Sequence, residues 1–339
     1  MKRVGFLFEH IITLENLYIA FHKSARGRTG KKEVFEFQKN LSFNLLKIQK
    51  ELLNNRFIFG NYHYFTIYDP KIRKICASSF PERVISHAIM NVCHDSFEKK
   101  QVYSSCACRK NKGTFFALNL AVKGCKSYKY FLKLDVRKYF DSIDHKILEL
   151  KLLKLFKDEK VISLFRSIIS TYHTEIGKGL PIGNLTSQYF ANHYLCEADH
   201  YLKESLKTPF YIRYMDDMVL FSNNKKELLD IGFKFKDYLF SNLRLEIKPF
   251  CLNYTSKGLP FLGYLFYNNK VKLTKSSRKR FIDKIKNYQK NLDKGIWNQE
   301  DYKNHIIPLI SYTEFAKAKG FRKKILSELD NNRGAFLSV

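Results

Sequence analysis

Hydrophobic and polar residues follow two different periods along the chain. Between residues 34 and 53, apolar side chains recur three and four positions apart, which predicts a helix. Residues 62–80 alternate as a strand does and break at Asp69-Pro70, which predicts a β-hairpin. The tip of this hairpin would carry the basic residues Lys71, Arg73 and Lys74.

The rest of the chain mixes both periods in an irregular order. Helical spacing marks residues 82–100, 115–123, 141–156, 185–195 and most of the chain after residue 274. Strand-like runs mark residues 128–136, both sides of 215–217, and a hairpin over 258–273 with its turn at Asn268-Asn269. Asp141 or Ser142 can cap the helix at 141–156. Because strands and helices do not alternate regularly, we predict an α+β fold in which helices back an antiparallel sheet.

The charge of the chain narrows the choice of partner. It has 60 Lys and Arg against 32 Asp and Glu, a net charge of +28. A charge this large predicts a polyanionic partner, most simply nucleic acid, because neutralising phosphates releases counterions. No apolar stretch reaches the roughly 18 residues of a membrane-spanning helix, and no signal-peptide pattern opens the chain. We therefore expect no membrane partner.

The seven cysteines predict neither disulfides nor a zinc site. They are scattered and odd in number, and Cys106 and Cys108 are too close together for an ordinary zinc-binding pair. We interpret them as reduced thiols that serve as small core residues in the cytosol.

Three aspartates suggest the chemistry. Asp216 and Asp217 stand side by side between two hydrophobic runs, where a buried strand would otherwise continue, and Asp135 ends the strand-like run FLKLD. Each alone has an ordinary explanation, an acidic turn or a loop residue after a strand. Clustered carboxylates in a basic chain, however, suit two Mg²⁺ ions about 4 Å apart, which can activate an attacking hydroxyl and neutralise a leaving phosphate.

Four segments, in their order along the chain, resemble the palm of reverse transcriptases. They are FLKLDVRKYFDSIDHKIL, GLPIGNLTSQYFANHYL, YIRYMDDMVLFS and LPFLGYLF, and 81 positions separate Asp135 from Asp216. Tyr-Met-Asp-Asp in a hydrophobic hairpin is the form of the catalytic turn in that family. The resemblance covers nearly the whole chain and implies a right-hand polymerase. Its parts would be N-terminal helices and fingers at 1–125, a palm at 126–268 and a basic helical thumb at 269–339.

The resemblance also implies roles for individual residues. Asp135, Asp216 and Asp217 would be catalytic and hold two Mg²⁺ ions, for which Mn²⁺ can substitute. Incoming nucleotide would contact Lys71, Arg73, Phe140, Ile182 and Gly183, and the primer grip would be Phe261, Leu262, Gly263 and Tyr264. Nucleic-acid backbone would contact Arg109, Lys110, Lys272, Lys275, Arg278, Lys279 and Arg280.

Two of these assignments have open alternatives. Phe140 matches the aromatic residue that blocks a ribose 2′-hydroxyl, and it is equally well explained as a core residue beside Tyr139. Many reverse transcriptases carry, after the segment that matches LRLEI, a lysine thought to protonate pyrophosphate. This chain has Lys248-Pro249 there, in a register that departs from the family pattern. The identity of the general acid is therefore not assigned.

The segment LPIGNLTSQ at 180–188 resembles the reverse transcriptases of diversity-generating retroelements. Other reverse transcriptases usually have Gln where this chain has Ile182, and Ile can offer only van der Waals contact to a nucleotide. This resemblance implies error-prone copying of a template-repeat RNA at adenines, dNTPs as substrates, a cDNA product, and a small basic accessory protein. It also implies the cytoplasm of a bacterial, phage or archaeal cell.

Two alternative hypotheses compete with a diversity-generating reverse transcriptase. A retron-, intron- or antiphage-type polymerase is an alternative within the enzyme class, and a catalytically idle RNA-binding protein with the same fold is an alternative outside it. The chain extends 75 positions past Tyr264, so we expect a thumb within it but no RNase H, endonuclease or maturase domain.

Overall fold

The computed structural model describes residues 3–68 and 71–331, with side chains through residue 328. Within these residues the helices are α1 (Phe8–Ile11), α2 (Leu14–Ala25), α3 (Lys32–Lys39), α4 (Leu41–Leu53), α5 (Phe80–Glu98), α6 (Thr114–Ser127), α7 (Tyr139–Ser142), α8 (His145–Leu155), α9 (Glu159–Ile169), α10 (Leu185–Tyr194), α11 (Cys196–His200), α12 (Lys225–Leu243), α13 (Lys275–Asp293), α14 (Gln299–Glu314) and α15 (Lys319–Asn331). The strands are β1 (Tyr62–Ile67), β2 (Arg73–Ser78), β3 (Tyr130–Asp135), β4 (Phe210–Tyr214), β5 (Asp217–Ser222), β6 (Cys251–Tyr254), β7 (Leu259–Phe261), β8 (Tyr264–Phe266) and β9 (Val271–Leu273).

The strands form three antiparallel sheets. The central sheet has the order β4-β5-β3-β6, with β5 and β3 as its inner strands. The hairpin β1-β2 and the three-stranded sheet β7-β8-β9 lie outside it. Helices and antiparallel strands follow each other irregularly along the chain, which confirms the predicted α+β class.

The central sheet separates two hydrophobic cores. On one face Leu132 and Leu220 join the main core with the N-terminal helices, α5 and α8–α12. On the other face Phe131, Val219 and Phe221 pack with α6 and the three-stranded sheet. Because successive side chains of a strand point to opposite faces, burial on both faces explains why β3 and β5 read as nearly continuous apolar runs.

Two predicted helices begin or divide at other residues than expected. The helical pattern at 34–53 is interrupted at Asn40, whose non-helical backbone (φ −121°, ψ 42°) separates α3 from α4. The predicted caps Asp141 and Ser142 lie inside the short helix α7, and the next helix starts later. Asp144 caps it by accepting the Ile147 amide at 3.0 Å. Apolar periodicity continues through both breaks, and so it could not reveal them.

The predicted hairpin over 258–273 contains one strand more than expected. A tight turn at Leu262-Gly263 separates β7 from β8, and the Asn268-Asn269 turn then leads to β9. The hairpin at 62–80 is confirmed as β1-β2, although its predicted break at Asp69-Pro70 lies outside the described residues.

Other expectations concern cysteines, membranes and domains. The structure leaves all seven cysteines as free thiols, and Cys108 and Cys251 are the exposed ones. Across 3–68 and 71–331, no helix is both long and apolar enough to cross a membrane. The predicted boundary at residues 125 and 126 falls within α6, and the one at 268 and 269 falls between β8 and β9. The tail predicted as part of the thumb includes residues 332–339, which lie outside the description.

Candidate active site

The three aspartates meet at one end of the two inner strands. Tyr214 is paired with Asp217, which leaves Met215 and Asp216 as a two-residue turn between β4 and β5. On the neighbouring strand β3, Asp135 lies directly opposite Asp217. Met215 has a φ of 55°, a left-handed conformation that costs a non-glycine residue about 1–3 kcal/mol and persists only where its surroundings enforce it.

A buried arginine, which the sequence analysis missed, supports this turn. Arg213 is 0% exposed, and its guanidinium donates to the Met215 carbonyl at 3.2 Å and to Asn192 Oδ1 at 3.0 Å. The guanidinium also forms a salt bridge with the buried Asp199, with an Nη2–Oδ2 distance of 2.6 Å. Tyr211 donates to the same carboxylate at 2.7 Å. The signal in the sequence was an arginine inside an otherwise apolar strand, since such a charge needs a buried partner.

Burial and mutual repulsion disfavour ionisation of the two turn carboxylates. Burial raises the pKa of Asp217 to about 6; Lys133 opposes the rise, whereas Asp216 and Asp135 add to it. The pKa of Asp216 is also raised, mainly by burial and further by Asp135, while Lys248 and Arg73 act against the rise. Asp217 Oδ1 is buried and accepts no hydrogen bond from the residues the structure describes. A bound cation would therefore stabilise this site.

Two lysines lie against Asp135 and Asp217, which we call the outer carboxylates. Lys248 Nζ is 2.9 Å from Asp135 Oδ2, and Lys133 Nζ is 3.1 Å from Asp217 Oδ1. The Lys248 amide also donates to the Asp135 carbonyl at 2.9 Å, which holds the lysine beside the end of β3. The departure of Lys248 from the family register therefore does not remove it from the site.

The donor set fits Mg²⁺ as a partly protein-bound ion. Among the residues described, no group of three or more His, Cys, Asp or Glu side chains is arranged to hold a metal by itself. Mg²⁺ prefers oxygen ligands and typically takes one or two carboxylates, with substrate phosphates and water completing its coordination. Asp135 lies at the end of β3 and Asp216 lies in the turn before the neighbouring strand β5. These two residues can supply such carboxylates.

The hairpin β1-β2 packs on the loop that carries Ile182 and Gly183. The Cys76 amide of β2 donates to the Ile182 carbonyl at 2.8 Å, which joins the two segments. Gly183 has a φ of +123°, and a Cβ there would lie 3.0 Å from the Cys76 carbonyl oxygen. The Leu180 amide donates to the Phe140 carbonyl at 2.9 Å, so Phe140 belongs to the same neighbourhood.

The remaining predicted nucleotide-binding residues lie around this loop. Arg73 is exposed, and its charge counteracts part of the rise in the pKa of Asp216. Lys71 is also exposed, and it lines a cavity of about 630 Å³ that it shares with Lys279 and Lys284 of α13. Phe140 is partly buried, packs against the main core and meets Tyr139 edge to face. Both interpretations of Phe140 therefore remain compatible with its position.

The predicted primer-grip residues form the turn between β7 and β8. Leu262 and Gly263 both have positive φ, and Phe261 and Tyr264 are buried on either side. Ser277 of α13 donates to the Gly263 carbonyl at 2.7 Å, so this turn is tied to the basic C-terminal helices.

The predicted backbone-binding residues fall into two groups. Those on β9 and α13 are exposed except for Arg280, which is partly buried: Lys272, Lys275, Arg278, Lys279 and Arg280. Lys110 is exposed as well. Arg109 is different, because its guanidinium is 2.6 Å from Glu98 and donates to the carbonyls of Val102 and Ser105. These contacts hold Arg109 within the protein, and its predicted contact with the nucleic-acid backbone stays a prediction.

Two curated proteins are similar to part of this chain. The COX1/OXI3 intron 1 protein of Saccharomyces cerevisiae is 24% identical over 170 residues, which are 47% of this chain and 20% of that protein. Protein YkfC of Escherichia coli is 22% identical over 177 residues, 47% of this chain and 46% of that one. This chain thus spans about a fifth to a half of the curated relatives it matches.

Solved structures and a family model add to these relatives. An apo telomerase from Candida tropicalis, truncated from its C-terminal domain, superposes with a TM-score of 0.47 at 14% identity, covering 64% of this chain and 55% of that one. The family model for reverse transcriptase (RNA-dependent DNA polymerase) matches residues 68–266, more than half of the chain. That match contains all three aspartates and the loop that carries Ile182. The chain therefore belongs to the reverse transcriptase family and has the α+β architecture of a right-hand polymerase.

Proposed function

We propose that this protein is an RNA-directed DNA polymerase. The observation that carries the proposal is the meeting of Asp135, Asp216 and Asp217 at one end of the central sheet, with a lysine beside each outer carboxylate. A binding protein gains nothing from clustered, partly buried carboxylates that face a phosphate backbone. A nucleotidyl transferase needs them to hold cations.

The residues divide the work of adding a nucleotide. Two Mg²⁺ ions, when bound, would lower the pKa of the primer hydroxyl and neutralise charge on the phosphates. Asp135 and Asp216 would be the main ligands of these ions, with Asp217 as the third carboxylate, and the strained Met215 turn positions Asp216. Arg73, beside Asp216, and Lys71 at the hairpin tip bind the triphosphate. Lys248, which is ion-paired with Asp135, is our proposed donor of a proton to the leaving pyrophosphate.

The larger parts follow the same assignment. We assign fingers to 1–125, the palm to 126–268 and the thumb to 269–339, with template RNA and the cDNA–primer strand lying between fingers and thumb. The exposed cations of α13 support this path, because phosphate contacts from lysine and arginine dominate nucleic-acid affinity.

Within the family we propose the diversity-generating subtype, which copies a template-repeat RNA with errors at adenines. Ile182 supports it, because its apolar side chain replaces a hydrogen-bonding glutamine in the loop on which β2 packs. A small basic accessory protein would then be a partner. The alternative is an intron-type enzyme, which is favoured by yeast relatives that are intron proteins by name.

Primer extension on an RNA template with Mg²⁺ and dNTPs tests the activity. Wild type should extend the primer and Asp216→Ala should not, while Asp237→Ala on the exposed face of α12 should behave as wild type. Equal incorporation by wild type and Asp216→Ala would refute the metal site. Failure of all three proteins would favour the idle RNA-binding alternative.

Sequencing the cDNA tests the subtype separately. We expect more substitutions opposite template adenine than opposite the other bases, and fewer with Ile182→Gln. An error rate at adenine no higher than elsewhere would favour the intron-type alternative without touching the polymerase assignment.

A further inference from the structure

Lys133 links the central sheet to the three-stranded sheet β7-β8-β9 through a hydrogen bond of its side chain. It lies on the inner strand β3, two residues before Asp135, and its side chain is 23% exposed. Its ammonium is 3.1 Å and 3.3 Å from the two oxygens of Asp217, and it donates to the Pro260 carbonyl at 3.0 Å. Lys133 thus donates hydrogen bonds to both Asp217 Oδ2 and Pro260, and its charge also lies within ion-pair distance of Asp217 Oδ1.

The position of Lys133 follows from strand alternation. Phe131, Lys133 and Asp135 point to the same face of the central sheet, and Val219 lies opposite Lys133 on β5. The apolar part of this face packs against α6 and the three-stranded sheet. Lys133 stands at the border between that packing and the carboxylates.

Pro260 belongs to β7, and the turn at Leu262-Gly263 follows two residues later. On its other side this turn is held by Ser277 of α13. The Thr274 amide, at the start of α13, also donates to the Gly263 carbonyl at 3.1 Å. The β7–β8 turn is thus attached to the thumb helix by these hydrogen bonds and to the carboxylates through Lys133. A shift of β7 would have to break the contact between Lys133 and Pro260.

We propose that Lys133 is a positioning residue that fixes the β7–β8 turn relative to Asp217, and thereby sets where a primer 3′ end lies relative to Asp135 and Asp216. The proposal rests on the polymerase function. Lys133 does not touch the reacting atoms, and it contributes little to holding the primer–template duplex, whose affinity comes from phosphate contacts elsewhere. Its loss should therefore reduce turnover far more than affinity.

The test compares Lys133→Met with Lys133→Arg and with the control Lys236→Met, which removes one exposed lysine from α12. We expect Lys133→Met to lower kcat for primer extension about 10- to 100-fold, since small misplacements of reacting groups have effects of this size. Its KM for primer–template should stay within about threefold of wild type, because that duplex affinity is phosphate-dominated. Lys133→Arg should recover most of the turnover, because its guanidinium also binds a carboxylate and a carbonyl.

A second measurement needs no activity. Hydrogen–deuterium exchange of peptides covering 259–266 should speed up in Lys133→Met and stay at the wild-type rate in Lys236→Met. Wild-type kcat or unchanged exchange in a folded Lys133→Met protein would overturn the proposal. An inactive wild type would instead refute the polymerase function on which the proposal rests, whatever the exchange data show.

Discussion

At the scale of single residues, the site depends on some side chains whose role cannot be predicted from the sequence. Asp216 and Asp217 stand out because adjacent charges interrupt an apolar run. Arg213 also interrupts it, yet nothing in the sequence shows that Asp199, fourteen positions earlier, is its buried partner. A charge pair withdrawn from water keeps its shape only while both partners remain.

The first prediction concerns this pair. Arg213→Met leaves Asp199 as an unpaired buried charge and should lower the free energy of unfolding by about 3–5 kcal/mol. Lys234→Met breaks an exposed pair with Asp230 and should leave the free energy of unfolding nearly unchanged. Urea denaturation measures both, and similar midpoints for the two variants would contradict the prediction.

The second prediction concerns pH. Because burial raises the pKa of Asp217 to about 6, the native metal-free protein holds this proton more tightly than the unfolded chain does. The stabilisation is full below the unfolded pKa and is lost as the pH rises through about 6. Asp217→Asn should therefore gain melting temperature relative to wild type as the pH rises from 5 to 7 in EDTA.

Thermal melts of both proteins at several pH values provide the measurement. Asp237→Asn, a change to an exposed carboxyl on α12, is the control for removal of a charge. A difference between Asp217→Asn and wild type that is the same at pH 5 and pH 7 would contradict the assigned pKa.

At the scale of elements, backbone conformation decides how segments meet. The loop at 181–184 contacts β2 closely because Gly183 adopts a φ that other residues avoid and leaves room for the Cys76 carbonyl. The predicted starts of α4 and α8 were wrong for a related reason. Asn40 and Asp144 set these starts through backbone geometry and capping, which apolar spacing does not reveal.

The third prediction separates strain from contact at this loop. Gly183→Ala adds both an unfavourable φ and a Cβ within 3.0 Å of the Cys76 oxygen. Gly177→Ala adds only the φ, because no described heavy atom lies within 4 Å of its Cβ. We expect Gly183→Ala to raise KM for dNTP about tenfold, a cost of about 1.4 kcal/mol, and Gly177→Ala to leave KM unchanged.

Steady-state primer extension at varied dNTP concentration gives both values. Equal KM values for the two variants would show that the packing of β2 on this loop does not shape the nucleotide site.

At the scale of the whole molecule, charge and layering are matched. The net charge of +28 includes the exposed cations of α13, while the three carboxylates sit where the central sheet meets the smaller one. A basic surface around an acidic centre suits a duplex that is held along its backbone and reacts at one end.

The fourth prediction concerns this surface. Replacing Lys275, Arg278 and Lys279 together by Gln should weaken primer–template binding. It should also reduce the slope of log affinity against log salt by about 0.7–0.9 for each phosphate that the variant no longer neutralises. The matched control replaces Lys225, Lys226 and Lys236, which are exposed on α12. Fluorescence anisotropy at several salt concentrations measures both, and equal slopes would argue against α13 as the binding face.

The sequence by itself determined the α+β class, the family and the three aspartates, because strand and helix periods, net charge and short motifs are local properties of the chain. Only the tertiary structure decided that Arg109 is bound internally, that Arg213 supports the Met215 turn, and that Lys248 and Lys133 lie against the carboxylates. The physical reason is that these contacts join residues far apart in sequence. Their partners are chosen by how sheets and helices pack, which no local pattern records.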